Sequence, residues 1–148
     1  MARPYHREIA PTIVFDASGR FLLQQRDDIP GILCPGQIGL FGGHREGDES
    51  FLGCAVRELA EELSMAIPAD RFEFLTSRHG EDHEVVGGTV EAHFFVVRNV
   101  PADKIVVTEG RLHVAKWSEL GCLAGRLTPM AGYALDFYKS RFGSPQSL

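Results

Sequence analysis

Gly43-His-Arg-Glu-Gly-Asp-Glu-Ser-Phe-Leu-Gly-Cys-Ala-Val-Arg-Glu-Leu-Ala-Glu-Glu-Leu-Ser-Met65 crowds charge where an ordinary helix would disperse it. A Gly-rich turn runs into a helix predicted from about Phe51 to Leu63. At about 100° per residue, Arg57, Glu58, Glu61 and Glu62 fall in one stripe, while Leu52, Ala55, Val56, Leu59 and Leu63 form an apolar stripe that faces a core. Carboxylates spaced i, i+3 and i+4 repel one another. At an effective dielectric of ~20 and a separation of roughly 6 Å, each pair costs on the order of 3 kcal/mol, less where solvent screens it. An i, i+4 contact from Arg57 to Glu61 relieves part of this, but one guanidinium does not balance three carboxylates. A bound cation would, and hard oxygen-rich sites suit Mg²⁺ or Mn²⁺, which carboxylates hold together with substrate phosphates. The residues therefore point to a divalent-metal site acting on a phosphorylated ligand. A solvated face is the ordinary alternative for a Glu-rich helix.

The rest of the segment decides against that alternative. It resembles the Nudix box, Gly-x5-Glu-x7-Arg-Glu-U-x-Glu-Glu-x-Gly-U, where U is bulky and aliphatic. Gly43, Glu49, Arg57, Glu58, Leu59, Glu61, Glu62 and Met65 fall in register, eight of nine specified positions, and the departure is Ser64 in place of the second Gly. That Gly ordinarily sits where a left-handed backbone is least strained without a Cβ. Serine there puts the local geometry in question and removes no ligand. Ser50 reads as the N-cap, with no capping-box carboxylate at Gly53, and Cys54 as a packing residue.

The resemblance implies roles for particular residues. Glu58, Glu61 and Glu62 resemble the family's metal-binding cluster, with Glu58 also a candidate base for the attacking water. Arg57 would orient the carboxylates, the main-chain carbonyl of Gly42 resembles the backbone metal ligand, and Glu49 the carboxylate that precedes the helix. For a further carboxylate, Glu109 competes with a group formed by Glu81, Asp82 and Glu84. Arg26, ending the strand Arg20-Phe-Leu-Leu-Gln-Gln-Arg26, is the candidate substrate-binding residue, with a surface charge at a strand end as its alternative. Pro35-Gly-Gln-Ile-Gly-Leu-Phe-Gly-Gly-His44 resembles the family's approach to the box. About sixteen residues past Met65 stand Glu81 and Asp82 rather than the Pro of ADP-ribose hydrolases or the Tyr of many diadenosine polyphosphate hydrolases. His79 and His83 stand four apart, but Gly80 interrupts any helix and no matching Cys or His pair exists, which argues against a zinc site.

Composition agrees with one compact enzyme. The 148 residues are 44% hydrophobic with a formal charge of −5 and a pI near 5.6, enough for a core within a single domain over residues 1–148. No basic run suggests a nucleic-acid polymer as partner. The three scattered cysteines are too few for a disulfide framework. No apolar stretch reaches membrane-spanning length and no signal pattern opens the chain, so a cytoplasmic setting is expected. Strands are expected at Ile9 to Phe15, Phe21 to Gln25, Phe72 to Thr76, Thr89 to Arg98 and Leu112 to Trp117, with a turn at Asp16 to Gly19. A second helix follows Thr128-Pro129, with Ala131, Leu135, Tyr138 and Phe142 at helical spacing, and residues 143–148 read as a frayed tail.

The expected fold is α/β, a Nudix-like α/β/α sandwich with a mixed β-sheet. The expected activity is Mg²⁺-dependent cleavage of a pyrophosphate bond in a nucleoside diphosphate linked to another moiety: a nucleoside triphosphate, ordinary or oxidised, a nucleotide sugar or a dinucleotide. The partner is a nucleotide-type small molecule, and relatives often dimerise. A catalytically silent nucleotide sensor and an isoprenyl diphosphate isomerase, which would need a reactive Cys, are the alternatives from other classes.

Overall fold

The computed structural model describes residues 5–143, so of the tail expected at 143–148 all but Gly143 lies outside the described residues. Its strands are β1 (His6–Ile9), β2 (Thr12–Asp16), β3 (Phe21–Gln25), β4 (Ile38–Gly39), β5 (Glu73–Glu81), β6 (Thr89–Val100) and β7 (Arg111–Ala115), and its helices are α1 (Phe51–Leu63) and α2 (Pro129–Phe142). The strands form a mixed seven-stranded sheet. The long β6 is its spine: β1 and β2 run parallel to it along one edge and β5 antiparallel along the other. Antiparallel pairing then extends the sheet from β2 to β3, and from β3 to both β4 and β7.

Period-2 alternation sorts the core into two layers because both faces of the sheet are covered. Ile13, Phe15, Phe21, Leu23, Phe94 and Val96 face α2, packing with Ala134, Leu135 and Tyr138. Their neighbours Val14, Leu22, Phe95 and Val97 face α1, against Cys54, Ala55, Leu59 and Leu63. The architecture is the α/β/α sandwich expected from the sequence.

Several boundaries differ from the sequence reading. The strand expected over Ile9 to Phe15 is two strands, because Pro11 has no N–H for a ladder. At that break Ala10 and Thr12 pair instead with the loop before α1, Ala10 N donating to Gly43 O (3.1 Å) and Thr12 N to Phe41 O (2.8 Å). β5 continues to Glu81, since pairing with β6 keeps the polar run after Thr76 extended, with a register shift between Phe74 and Thr76. Leu52 and Phe142, expected in the core, are exposed at the first and last turns of their helices, beyond the sheet's cover. Thr128 caps α2 by accepting from Ala131 N, with Pro129 at the first helical position, and Gly143 closes it by donating to Lys139 O.

Candidate active site

Helix α1 begins as its sequence requires. Ser50 Oγ accepts from Gly53 N at 2.9 Å, and the helix lays its charged stripe along a cavity of about 480 Å³ lined by Glu58, Glu61, Glu62, Gly42, Gly43 and Glu109. The loop before it is squeezed between helix and sheet. A Cβ on Gly42, whose φ is +144°, would stand 2.6 Å from Ala10 O, and one on Gly43 would stand 2.5 Å from both carboxylate oxygens of Glu58. The glycine that opens the box is thus required by the approach of a carboxylate, and Gly42 by the approach of the broken strand.

Arg57 is the hub of the stripe. Its Nη2 and Nε donate to Glu49 at 2.6 and 3.0 Å, its Nη1 to Glu58 Oε1 at 3.0 Å, and Nη2 also to the His44 carbonyl at 2.9 Å. The expected contact with Glu61 is present but longer, 3.5 Å. Glu49 therefore takes most of the guanidinium, which holds its carboxyl down at about 2 through hydrogen bonds, and the same bonds raise Arg57 above its ordinary value. Glu49 positions Arg57, and Arg57 positions Glu58.

Glu62 is the opposite case. Its Oε1 accepts from Gly42 N at 2.7 Å, yet burial, with the nearby charges of Glu58 and Glu109 adding to it, pushes its carboxyl up to about 8. Burial likewise raises Glu58, against the pull of Arg57. Burial is the first cause of both shifts, and neighbouring carboxylates add to it at each. The donors there are all oxygen, which fits Mg²⁺ or Mn²⁺ and not a soft metal. Among the described residues Glu58, Glu61 and Glu62 are not drawn together to ligand spacing; Glu61 is exposed and leans on Arg57.

The candidates for a further carboxylate are placed differently. Glu109 reaches the cavity on a segment docked to the C-terminal end of α1: Val106 N donates to Leu63 O, and Thr108 N to Glu62 O, each at 3.1 Å. Gln24 Nε2 holds the Glu109 carbonyl at 3.1 Å. Ser64 takes part in this docking. It adopts the left-handed backbone (φ 55°, ψ 39°) that the box ordinarily gives to glycine, and its Oγ donates to Val106 O at 2.8 Å.

Of the competing group, Glu81 lies exposed at the end of β5, and Asp82 is buried in an ion pair with Arg7, at 2.6 and 2.9 Å. Glu84 lines the cavity, but both its oxygens are used, one by Arg7 at 3.0 Å and one by the Met130 N–H at the start of α2, at 2.9 Å. Sequence reading missed Arg7. The available signal was its place in β1, two residues from Ile9 and therefore on the same inward face.

Arg26 reaches the cavity as expected, with Nε donating to Leu33 O at 2.7 Å, and it also borders a second recess of about 260 Å³. Cys54 is fully buried, its thiol pushed up to about 12 by burial, which bears out a packing role. Cys34 lines the cavity, but burial and then the charge of Glu84 raise its thiol too. Neither environment activates a thiolate.

The NUDIX domain model matches residues 5–138, and the chain belongs to that family. Its fold is shared with the E. coli ORF135 protein (24% identity, 96% of this chain and 95% of that one, TM-score 0.71) and the MutT protein of Methanosarcina mazei Go1 (19%, 96% and 99%, 0.72). It is shared also with a bifunctional NMN adenylyltransferase/ADP ribose pyrophosphatase of Francisella tularensis, crystallised with AMP and a Mn ion (16%, 95% and 43%, 0.72). No curated protein matches the chain. Among the described residues no helix is long and apolar enough to cross a membrane.

Proposed function

We propose that the chain is a Mg²⁺-dependent hydrolase, with Mn²⁺ as a substitute, that cleaves a pyrophosphate bond in a nucleoside diphosphate linked to another moiety. The observation that carries this reading is geometric: Glu58, Glu61 and Glu62 of α1 line one cavity together with Gly42 and Glu109. Membership of the NUDIX family and a structural neighbour crystallised with AMP and Mn support it.

Glu58, Glu62, Glu61 and the Gly42 carbonyl would hold the ion, with Glu109 as the further carboxylate because its segment docks on the end of α1 beside Glu62, whereas Glu84 is engaged by Arg7 and the Met130 N–H. When bound, the ion supplies charge neutralisation for the diphosphate and acidifies water. Arg57 Nη1 fixes Glu58 through Oε1, which leaves Oε2 to accept the proton of the water that attacks phosphorus. Arg26, tied through Nε, presents the rest of its guanidinium to a phosphate. On the wall away from α1, Leu33, Leu40 and Met130 give apolar surface to a base.

The test is product formation from nucleoside triphosphates, nucleotide sugars, ADP-ribose and dinucleotides with Mg²⁺, with and without EDTA. Metal-dependent release of a nucleoside monophosphate from one of them is the expected result. No turnover across the panel, with binding retained, would replace the hydrolase by a nucleotide sensor.

A further inference from the structure

A second group of ligand-bearing side chains sits on the sheet, and none of it lines the cavity. In β6, Glu91 and His93 are two residues apart and so project from one face. The β5–β6 register sets His79 directly opposite Glu91, which brings the His79 ring to 6.2 Å from that of His93 between centroids. One nitrogen from each imidazole and one oxygen from Glu91 all lie within 4.8 Å of one another, and among the described residues this is the one such group of three. His83, the helical-spacing partner considered from sequence, instead meets Arg78.

Two features make the group more than a chance meeting. His93 is held in place: its ring stacks on Phe51 at 3.8 Å and 9°, meets Phe74 edge-on, and its Nε2 lies 2.9 Å from Glu91 Oε2. Across the β1–β6 pairing Glu91 stands opposite Glu8, whose charge Arg45 offsets at 2.8 Å, so the two neighbouring carboxylates are not left in bare repulsion.

We propose that His79, Glu91 and His93 form a binding site for a borderline divalent transition metal of the Zn²⁺ type. Two neutral imidazoles and one carboxylate match that preference and differ from the all-oxygen set on α1. Tetrahedral ligands at ~2.0–2.1 Å from the ion stand roughly 3.3 Å apart, so closing a group that lies within 4.8 Å needs at most about 1.5 Å of side-chain travel, which the exposed His79 is free to make. Three protein ligands leave a fourth position for water. Occupancy joins β5 to β6 beneath Phe51, the first residue of α1, and so braces the entry to the helix that carries the active-site stripe.

The experiment is titration of the full chain with Zn²⁺ by calorimetry in excess Mg²⁺, alongside H79Q, H83Q and E62Q variants. Histidine ring nitrogens are followed by NMR in the same titrations. The expected result is one tight equivalent that shifts His79 and His93 together. Loss of even an outer-shell partner costs about 10–100-fold in affinity, so H79Q should weaken this equivalent at least about tenfold while H83Q and E62Q keep it. His79 is exposed, so the variant keeps the fold, which a thermal melt verifies. Superimposable isotherms for H79Q and the wild-type chain, a tight equivalent lost in E62Q but kept in H79Q, or equal weakening in H79Q and H83Q would each overturn the proposal.

Discussion

On one wall of the cavity Arg7 answers Asp82 and Glu84 with three hydrogen bonds, and the remaining Glu84 oxygen is taken by the first turn of α2. On the other wall Glu58, Glu62 and Glu109 gather, with Arg57 shared between Glu58 and Glu49 and Arg26 nearby to offset them. The same residue types are balanced in one place and left short of charge in the other. A satisfied buried network stabilises the chain as it stands, whereas a like-charge cluster persists where a ligand will complete it. On the proposed function the Arg7 wall is scaffold and the α1 wall is chemistry, so variants on the two sides should fail in different ways.

The largest difference is expected in turnover. Glu58→Gln keeps the side chain's shape and removes its charge, so kcat should fall about 10²–10⁴-fold while the thermal melt is unchanged or improved. Near-normal kcat would remove Glu58 from the proton transfer. Asp82→Asn should do the reverse. It strips the buried Arg7 of its bidentate partner, and leaving a buried charge underpaired costs about 3 kcal/mol, read by urea unfolding, with kcat far less affected. A loss below about 1 kcal/mol would make the network a bystander and dissolve the contrast.

The acid limb of stability should distinguish the same pair. Burial alone would raise the Asp82 carboxyl, but hydrogen bonds from Arg7 and from the Glu84 N–H outweigh it and leave it below its ordinary 3.8. A depressed folded-state value gives stability that is present above pH 3.8 and is lost as the pH falls through the folded value. Melting temperatures between about pH 2 and 5 should therefore fall more steeply for the wild-type chain than for Asp82→Asn. Parallel curves would show that Asp82 is not what acid attacks. On the α1 wall the corresponding probe is the ion itself. Mg²⁺ at 10–100 times its Kd should stabilise the wild-type chain by about 1–3 kcal/mol, and Glu62→Gln by clearly less. Equal gains in both would place the ion elsewhere.

How much of this could be read from the chain follows from how local each feature is. The α1 stripe, its Ser50 cap and the Gly43 requirement lie within 23 consecutive residues, where helical spacing alone puts side chains together, and they were legible. So were the α/β/α layers, because strands covered on both faces and amphipathic helices leave strong periodic signals. Arg7 and Asp82 are 75 residues apart and meet only through the β1–β6 pairing, which spacing cannot show. The same holds for His79 and His93: the expectation against zinc rested on helical spacing, and these residues lie on adjacent strands where the relevant interval is two residues and a register. The choice between Glu109 and the Glu81, Asp82 and Glu84 group is likewise open in sequence; the structure adds that Glu84 is engaged by Arg7 and the Met130 N–H while Glu109 sits on the segment docked to the end of α1.

The smallest expected effect concerns the one departure from the box, and it tests what holds Glu109 to the α1 wall at the helix's far end. Ser64 holds a left-handed conformation that costs a non-glycine residue about 1–2 kcal/mol, and its hydroxyl donates to Val106 O, a bond worth about 1 kcal/mol. Ser64→Gly relieves the first and forfeits the second, so stability should move by no more than about 1 kcal/mol in either direction. The bond has a second consequence that stability does not report. It anchors the segment that delivers Glu109 beside Glu62, and a carboxylate held less firmly binds an ion less well. The glycine variant should therefore require more Mg²⁺ for half-maximal activity at nearly unchanged stability. An unchanged Mg²⁺ dependence would mean that the backbone bonds from Val106 and Thr108 to the end of α1 hold Glu109 without help, leaving Ser64 a tolerated substitution and nothing more.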